Sequence, residues 1–291
     1  MKWQIPAKTF LLGEYAALAE ASAIILTTTP YFELSLSHQK ECVGIHPDSP
    51  AGIWWQQQGI TKGLLWQDPY QGHGGLGASS AQFLAAFFAA CHLNNKTPEL
   101  RTVLEAYYQS SWSGKGLRPS GYDVIAQSQH ACVYINKQNK IIHSYAWPFK
   151  DLSFLLIHTG VKLATHHHLQ DTTLPPQIDY LSAIVDTAKE AFEHIDSQKL
   201  IHSINNYHQK LTQLNRVAPY SLECINTLNA YPEIVGIKGC GALGADVLLV
   251  LTSRQDAPSL KNKLLAKNWS IVATETNLTP VNKNSLSTTS L

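Results

Sequence analysis

The chain has 291 residues, of which 44% are hydrophobic and 15% charged, and its formal net charge is +1 at pH 7. This composition is typical of a folded globular protein and excludes a largely disordered chain. Because the chain has nearly equal numbers of basic residues (22) and acidic residues (21), no broad positive surface is expected and a nucleic-acid partner is not predicted. Five cysteines without a repeated spacing, and an N-terminus without a signal-like apolar run, predict a cytoplasmic protein. No apolar run approaches the roughly 20 residues of a membrane-spanning helix, so no membrane association is expected.

The first half of the sequence predicts strands followed by helices and a hairpin. The predicted elements are strands at 9–12 and 31–36, a buried helix at 81–93, a helix at 99–110, and a hairpin of 131–135 with 140–145. A glycine cluster precedes the buried helix, and a serine that follows the cluster is expected to cap that helix. Pro119 prevents the second helix from continuing.

A new apolar strand, LSFLLIH, begins at residue 152, where the character of the sequence changes. We therefore expect two domains, an N-terminal one at 1–150 and a C-terminal one at 151–291. In the C-terminal domain the sequence predicts helices at 181–195 and 200–214, then a glycine-bearing loop that leads into the strand VLLVLT. The polar tail from about residue 276 lacks periodicity and is expected to be frayed.

The strongest local signal is the loop GHGGLGASSAQF at residues 72–83. Glycines let the backbone approach a ligand, and a helix N-terminus offers free N–H groups, so this loop is expected to bind phosphate. The loop also contains the spacing GxGxxG of dinucleotide-binding enzymes. An oxidoreductase is therefore an alternative, although the preceding WQDPYQ is a poor strand. A Walker loop is excluded because no Lys-Ser or Lys-Thr follows the glycines.

Three separated segments carry a resemblance to a known family. PAKTFLLGEYAAL (6–18), GGLGASSA (74–81) and KGCGALGAD (238–246) occur in the order and spacing of the three motifs of the GHMP kinases. PSGYDVIAQ (119–127) resembles the segment that carries the proposed catalytic aspartate in that family. TGVKLATHHHL (159–169) resembles its Thr-Gly-x-Lys/Pro-x-x-Thr segment. The sequence is thus identified as a member of the GHMP kinases, named for galactokinase, homoserine, mevalonate and phosphomevalonate kinases.

Within that family the sequence is most similar to the phosphomevalonate kinases. Tyr15 follows the glutamate of the first motif, Asp246 ends the third, and GKGLRPSGYDV (114–124) is similar to their catalytic segment. The sequence departs from the family pattern at two positions of the third motif, where Leu243 and Ala245 replace glycines. A further departure is that no acidic magnesium ligand is obvious near residues 109–112.

The resemblance implies an α+β, two-domain fold with the nucleotide site between the domains. It implies ATP and Mg²⁺ as cofactors and transfer of the γ-phosphoryl group to a small acid, phosphomevalonate, with mevalonate as the alternative acceptor. A non-catalytic relative that binds a nucleotide or metabolite is a further alternative. The oligomeric state is not predicted.

The same resemblance assigns residues to roles. Asp123 is expected to be the catalytic base, or a turn residue in the alternative interpretation, and Lys8 is expected to neutralise charge on the transferred group. The cofactor-binding residues are Gly74, Gly75, Leu76, Gly77, Ala78, Ser79 and Ser80, with Ser80 also as metal ligand. The substrate-binding residues are Glu14, Tyr15, Lys115, Arg118, Ser120, Gly121, Gly241 and Ala242.

Other candidate residues are less specific. Lys115, Arg118 and Lys162 are the cations available for an acceptor phosphate, although loop cations are normally solvated. His166, His167 and His168 are successive residues, which point about 100° apart on a helix and cannot all face one metal ion. Cys240 lacks a partnering histidine nearby in the sequence and is interpreted as a packing residue.

Overall fold

A computed structural model describes residues 1–161 and 173–281 of the chain. The strands are β1 (Lys2–Leu12), β2 (Ala23–Ser37), β3 (Gly63–Gln67), β4 (Cys132–Asn136), β5 (Ile141–Tyr145), β6 (Leu152–His158), β7 (Ile234–Cys240), β8 (Val247–Ser253) and β9 (Ser270–Thr274). The helices are α1 (Pro50–Gln57), α2 (Ala78–Leu93), α3 (Leu100–Ser111), α4 (Tyr122–Gln127), α5 (Ile178–His194), α6 (Ser197–Gln213), α7 (Pro219–Leu228) and α8 (Ala257–Ala266). Short 3₁₀ turns occur at Ala16–Ala19, Ala242–Gly244 and Glu275–Asn277.

The first sheet is built around the long strand β2. Strand β1 pairs along one edge of β2, while β3 and β4 pair with different parts of its other edge, and β5 pairs with β4. All of these pairings are antiparallel. Helix α2 is apolar on nearly every side, as its sequence ASSAQFLAAFFAACHL requires of a helix buried on most of its surface. This burial fixes the glycine loop at its N-terminus.

The second sheet has the order β7-β8-β6-β9 and is also antiparallel. Helices α5 and α6 are amphipathic, and each turns a stripe of buried leucine, isoleucine and aromatic residues toward the core. A smaller apolar cluster joins α7 and α8 to the other face of this sheet. Among the described residues, no helix combines the length and the hydropathy that crossing a bilayer requires.

The two sheets share one apolar core. The larger buried cluster contains residues from both sides of position 150, among them Ile24 and Phe154. A polar network also crosses this boundary, because Asp186 of α5 accepts hydrogen bonds from Ser22 Oγ (2.6 Å) and from Tyr134 OH (2.8 Å). The change of sheet falls between β5 and β6, and the division into domains 1–150 and 151–291 stays a prediction.

The predicted hairpin, the strand after residue 152, the helices near 181–195 and 200–214, and the strand after Asp246 are confirmed. The strands predicted at 9–12 and 31–36 are parts of the longer β1 and β2, and α1 and β3 were not predicted. The expectation of a frayed tail from residue 276 is wrong for its first residues. Thr279 is buried and donates its backbone N–H to Thr27 O at 3.0 Å. The tail residues 282–291 lie outside the described part of the chain.

Candidate functional site

The glycine loop leads directly into α2. Gly77, with φ of +80°, is the N-cap residue of this helix, so the expectation of a serine cap is wrong. Ser80 is buried and donates its hydroxyl to Gly77 O at 3.0 Å, whereas Ser79 is exposed in the first turn. The first turn contains no acidic residue, and its N–H groups have no acceptor within the helix. This helix N-terminus can therefore bind an anion.

Lys8 and Asp123 meet beside this loop. The Lys8 ammonium lies 3.3 Å from Asp123 Oδ2, and the two side chains are 10% and 31% exposed. Lys8 comes from β1, where its backbone N–H donates to Leu76 O at 3.0 Å, and Asp123 lies in the first turn of α4. The structure thus brings the two predicted catalytic residues together with the glycine loop, although their catalytic roles stay predictions.

Gln127, to which the motifs assign no role, connects α4 to β1 and to the glycine loop. Its amide donates to Pro6 O at 2.8 Å on β1 and to Gly77 O at 3.1 Å in the glycine loop. It lies four residues after Asp123 on α4, so both side chains project from the same face of the helix. That spacing is the one sequence signal that marks it.

The loop at residues 241–246 packs against the glycine loop at residues 72–77. A Cβ atom on Gly75 would come within 2.5 Å of Asp246 Cβ, so the two loops touch. Leu243, which stands where the resemblance predicts a glycine, adopts φ of +52°. Its N–H donates to Tyr15 OH at 3.3 Å and its carbonyl accepts from Ala218 N at 2.8 Å. The loop thus keeps a glycine-like backbone although it carries a leucine there.

Glu14, a predicted substrate residue, forms an ion pair with Lys238 of β7. Both side chains are almost fully buried, and the Lys238 ammonium also contacts Phe10 O and Cys240 Sγ, each at 3.4 Å. Burial lowers the pKa of Lys238, but the Glu14 carboxylate beside it raises it, and the net direction is upward. Burial raises the pKa of Cys240 to about 11, so its thiol is neutral at pH 7. In the structure Glu14 therefore joins β1 to β7.

Tyr15, the next predicted substrate residue, is 2% exposed. Burial raises the pKa of its hydroxyl to about 12, although the Leu243 N–H and the Arg216 charge oppose this effect. Gly241 and Ala242 lie at the start of the neighbouring loop, so the structure places these three predicted residues at one place.

Residues 112–121 form a separate loop before Asp123. Arg118 contacts Glu20 at 2.7 Å and lies 4.4 Å from the centre of the Tyr108 ring, and Lys137 also contacts Glu20 at 2.5 Å. Burial raises the pKa of Glu20, but Lys137 and Arg118 together lower it by a larger amount, so the net direction is downward. Arg118 is thus already paired.

The other predicted residues of this loop have structural contacts or lie at its surface. Tyr108 OH donates to Ser120 O at 2.9 Å, and a Cβ atom on Gly121 would come within 2.7 Å of that hydroxyl. Lys115 is exposed. Lys162 and the histidines at 166–168 lie outside the described residues.

The residues fit a nucleotide phosphate better than a preformed metal cage. Within 1–161 and 173–281, no group of three His, Cys, Asp or Glu side chains is placed to hold a metal ion. Mg²⁺ usually keeps several waters and is bound through one or two protein oxygens plus substrate phosphates. The exposed Ser79 hydroxyl and the Asp123 carboxylate fit such a role, whereas the Ser80 side chain is buried.

No family model matches the chain, and no curated protein sequence is significantly similar to it. Solved structures do match it over nearly the whole length. The phosphomevalonate kinase of Streptococcus pneumoniae, in complex with phosphomevalonate and AMPPNP, is 17% identical, with 94% of this chain and 99% of that chain covered and a TM-score of 0.75. The mevalonate kinase of Methanococcus jannaschii is 15% identical, with 94% and 97% covered and a TM-score of 0.71.

The galactokinase of Lactococcus lactis, complexed with galactose, is 10% identical, with 96% and 93% covered and a TM-score of 0.72. The three proteins act on different acceptors, so the similarity does not distinguish among them. What these structures share with the chain is its mixed helix and sheet architecture, and the chain therefore has the fold of the GHMP kinases.

Proposed function

We propose that the protein is an ATP-dependent phosphotransferase of the GHMP kinase family that phosphorylates a small acidic acceptor. The observation that carries this proposal is the Lys8–Asp123 pair at 3.3 Å, held beside the N-terminus of α2. Phosphoryl transfer needs mainly positioning and charge neutralisation, and this arrangement supplies an anion site, a cation and a carboxylate.

In this proposal ATP lies between the N-terminal and C-terminal halves, with its phosphates at residues 74–80. Bound Mg²⁺ supplies neutralisation of phosphate charge. Ser79, rather than the buried Ser80, is the hydroxyl that we assign to a phosphate or to the metal. Lys8 neutralises charge on the transferred group, and Asp123 accepts the proton of an acceptor hydroxyl or, for an ionised acceptor phosphate, orients Lys8.

Phosphomevalonate is the first proposed acceptor, because Tyr15 and Asp246 match the phosphomevalonate kinase pattern. Mevalonate is the second candidate, and one observation favours it. Arg118, a cation expected to hold the acceptor phosphate, is paired with Glu20 and stacked on Tyr108. An acceptor without a phosphate does not require that cation.

A coupled assay of ADP release with each acid in turn tests the proposal. Turnover of phosphomevalonate alone supports the first assignment, and turnover of mevalonate alone contradicts it in favour of the second. ATP-dependent turnover of neither acid contradicts the proposed activity on these acceptors.

A further inference from the structure

Arg216 is a cation near the site to which neither the motifs nor the fold assigns a role. It lies between α6 and α7, two residues before Ala218, whose N–H donates to Leu243 O at 2.8 Å. Its guanidinium carbon lies 5.5 Å from the centre of the Tyr15 ring. Arg216 therefore lies beside Tyr15 and the loop at 241–246, on the C-terminal side of the candidate site.

Among residues 1–161 and 173–281, no carboxylate matches the charge of Arg216. The sequence has three other arginines, and each pairs with a glutamate: Arg101 with Glu105 at 2.9 Å, Arg118 with Glu20 at 2.7 Å, and Arg254 with Glu275 at 3.5 Å. No described carboxylate lies within ion-pair distance of Arg216. Its one hydrogen bond runs from Nη2 to Thr173 O at 3.2 Å.

The Nε atom of Arg216 is buried and has no hydrogen-bond partner among the described residues. Buried donors in native proteins are almost always paired, so an orphaned one calls for an explanation. Lys8 and Lys238 differ in this respect, because Lys8 is paired with Asp123 and Lys238 with Glu14. Arg216 is thus a cation of this region that has no described carboxylate partner and whose guanidinium makes a single hydrogen bond to the described residues.

We propose that Arg216 binds an acidic group of the phosphoryl acceptor and selects acidic acceptors over neutral ones. A guanidinium presents its donors in a planar fork that matches a carboxylate or a phosphate, which is why it suits this role. The inference rests on the proposed function, and it makes Arg216 a specificity-determining residue of the same site. A neutral acceptor leaves the donors unpaired and is bound more weakly.

Calorimetric binding to the full chain tests this assignment without requiring turnover. The probes are mevalonate, which carries a carboxylate, phosphomevalonate, which adds a phosphate, and mevalonolactone, which is neutral. The variants are Arg216→Met and Arg216→Lys, with Arg101→Met as the control because Arg101 pairs with Glu105 on the surface of α3. Thermal unfolding checks that every variant is folded.

We expect the wild type to bind the acids more tightly than the lactone. Arg216→Met is expected to weaken acid binding about 10- to 100-fold, the usual effect of a lost charge-assisted contact, and to leave lactone binding unchanged. Arg216→Lys is expected to retain part of the preference, and Arg101→Met all of it. A loss for both acids identifies the carboxylate as the bound group, and a loss for phosphomevalonate alone identifies the phosphate.

Three results overturn the assignment: equal binding of acid and lactone by the wild type, acid affinity in Arg216→Met within threefold of wild type, or no binding of either acid. If Arg216→Met does not fold, the acid preference of Arg216→Lys decides, and an undiminished preference counts against the assignment. If acids bind through Arg216 but ATP yields no ADP release, the proposed function fails while the binding role of Arg216 stands.

Discussion

A pair of glycine substitutions in one loop separates backbone strain from damage to the candidate site. Gly77 and Gly72 both have φ of +80°, a conformation that costs an alanine about 1–2 kcal/mol. A Cβ atom on Gly72 meets nothing within 4 Å. A Cβ atom on Gly77 would come within 2.6 Å of Lys8 Cγ and 3.0 Å of Gln127 Nε2. The two substitutions thus share the strain, but only Gly77→Ala places its Cβ atom against Lys8 and Gln127.

The expected effects follow from that difference. Gly72→Ala is expected to lower Tm by about 2–8 °C, since 1 kcal/mol corresponds to about 2–4 °C in a chain of this size class, and to leave kcat nearly unchanged. Gly77→Ala adds a 2.6 Å contact with Lys8 Cγ, which is shorter than real Cβ contacts, so we expect the Lys8 side chain to shift and its 3.3 Å contact with Asp123 to be disturbed. We expect kcat to fall at least tenfold, or about 1.4 kcal/mol in activation free energy.

Thermal unfolding and a coupled ADP-release assay of both variants, with the accepted substrate at saturating ATP, measure these effects. Equal kcat values for Gly77→Ala and Gly72→Ala would contradict the reasoning, because the contact with Lys8 would then have no functional consequence.

Three further predictions concern stability. Lys238→Met leaves the Glu14 carboxylate buried and unpaired, and it is expected to lower the free energy of unfolding, measured in urea, by about 3–5 kcal/mol. Adding Glu14→Gln should restore part of that stability. Equal stability of the single and double variants would count against the ion pair. Burial and the neighbouring His73 lower the pKa of His158, so the unfolded chain binds this proton first as pH falls. The contribution of neutral His158 to stability is therefore complete above pH 6.5 and is lost below it. Between pH 7 and 5, Tm should decline less in His158→Asn than in wild type. Parallel declines of Tm would refute this. Leu243→Gly relieves a left-handed backbone and is expected to raise stability by up to about 1 kcal/mol, which an unchanged or lower Tm would contradict.

The elements that periodicity predicted well are those whose pattern is set by burial. Helices α5 and α6 show a clear apolar stripe, and β6 and β8 are continuous apolar runs. Helix α1 escaped prediction because its short sequence, PAGIWWQQ, has too few residues to display a period. The first part of β2 escaped because an apolar run that short does not distinguish a strand from a helix.

The candidate site was predicted where it is local in sequence and missed where it is not. The glycine loop and its helix are consecutive, so the loop-to-helix arrangement could be predicted from residues 72–83 alone. The Glu14–Lys238 pair joins residues 224 positions apart, and no local pattern indicates such a pairing. The serine cap was wrong because Gly77, with its positive φ, is the N-cap residue of the helix, two residues before the first serine, Ser79. Arg216 could not be found from sequence, because an unpaired cation is recognised only once its surroundings are known.

The steady-state kinetics of Lys8→Met and Asp123→Asn, compared with wild type using ATP and each acid, test the proposed catalytic pair most directly. If the Lys8–Asp123 pair carries phosphoryl transfer, at least one substitution lowers kcat by roughly 10² to 10⁴ while the protein stays folded. With a mevalonate acceptor the loss is expected in both variants, and with phosphomevalonate it is expected to be larger in Lys8→Met. If neither folded variant lowers kcat even tenfold, the assignment of this pair as the catalytic centre is wrong.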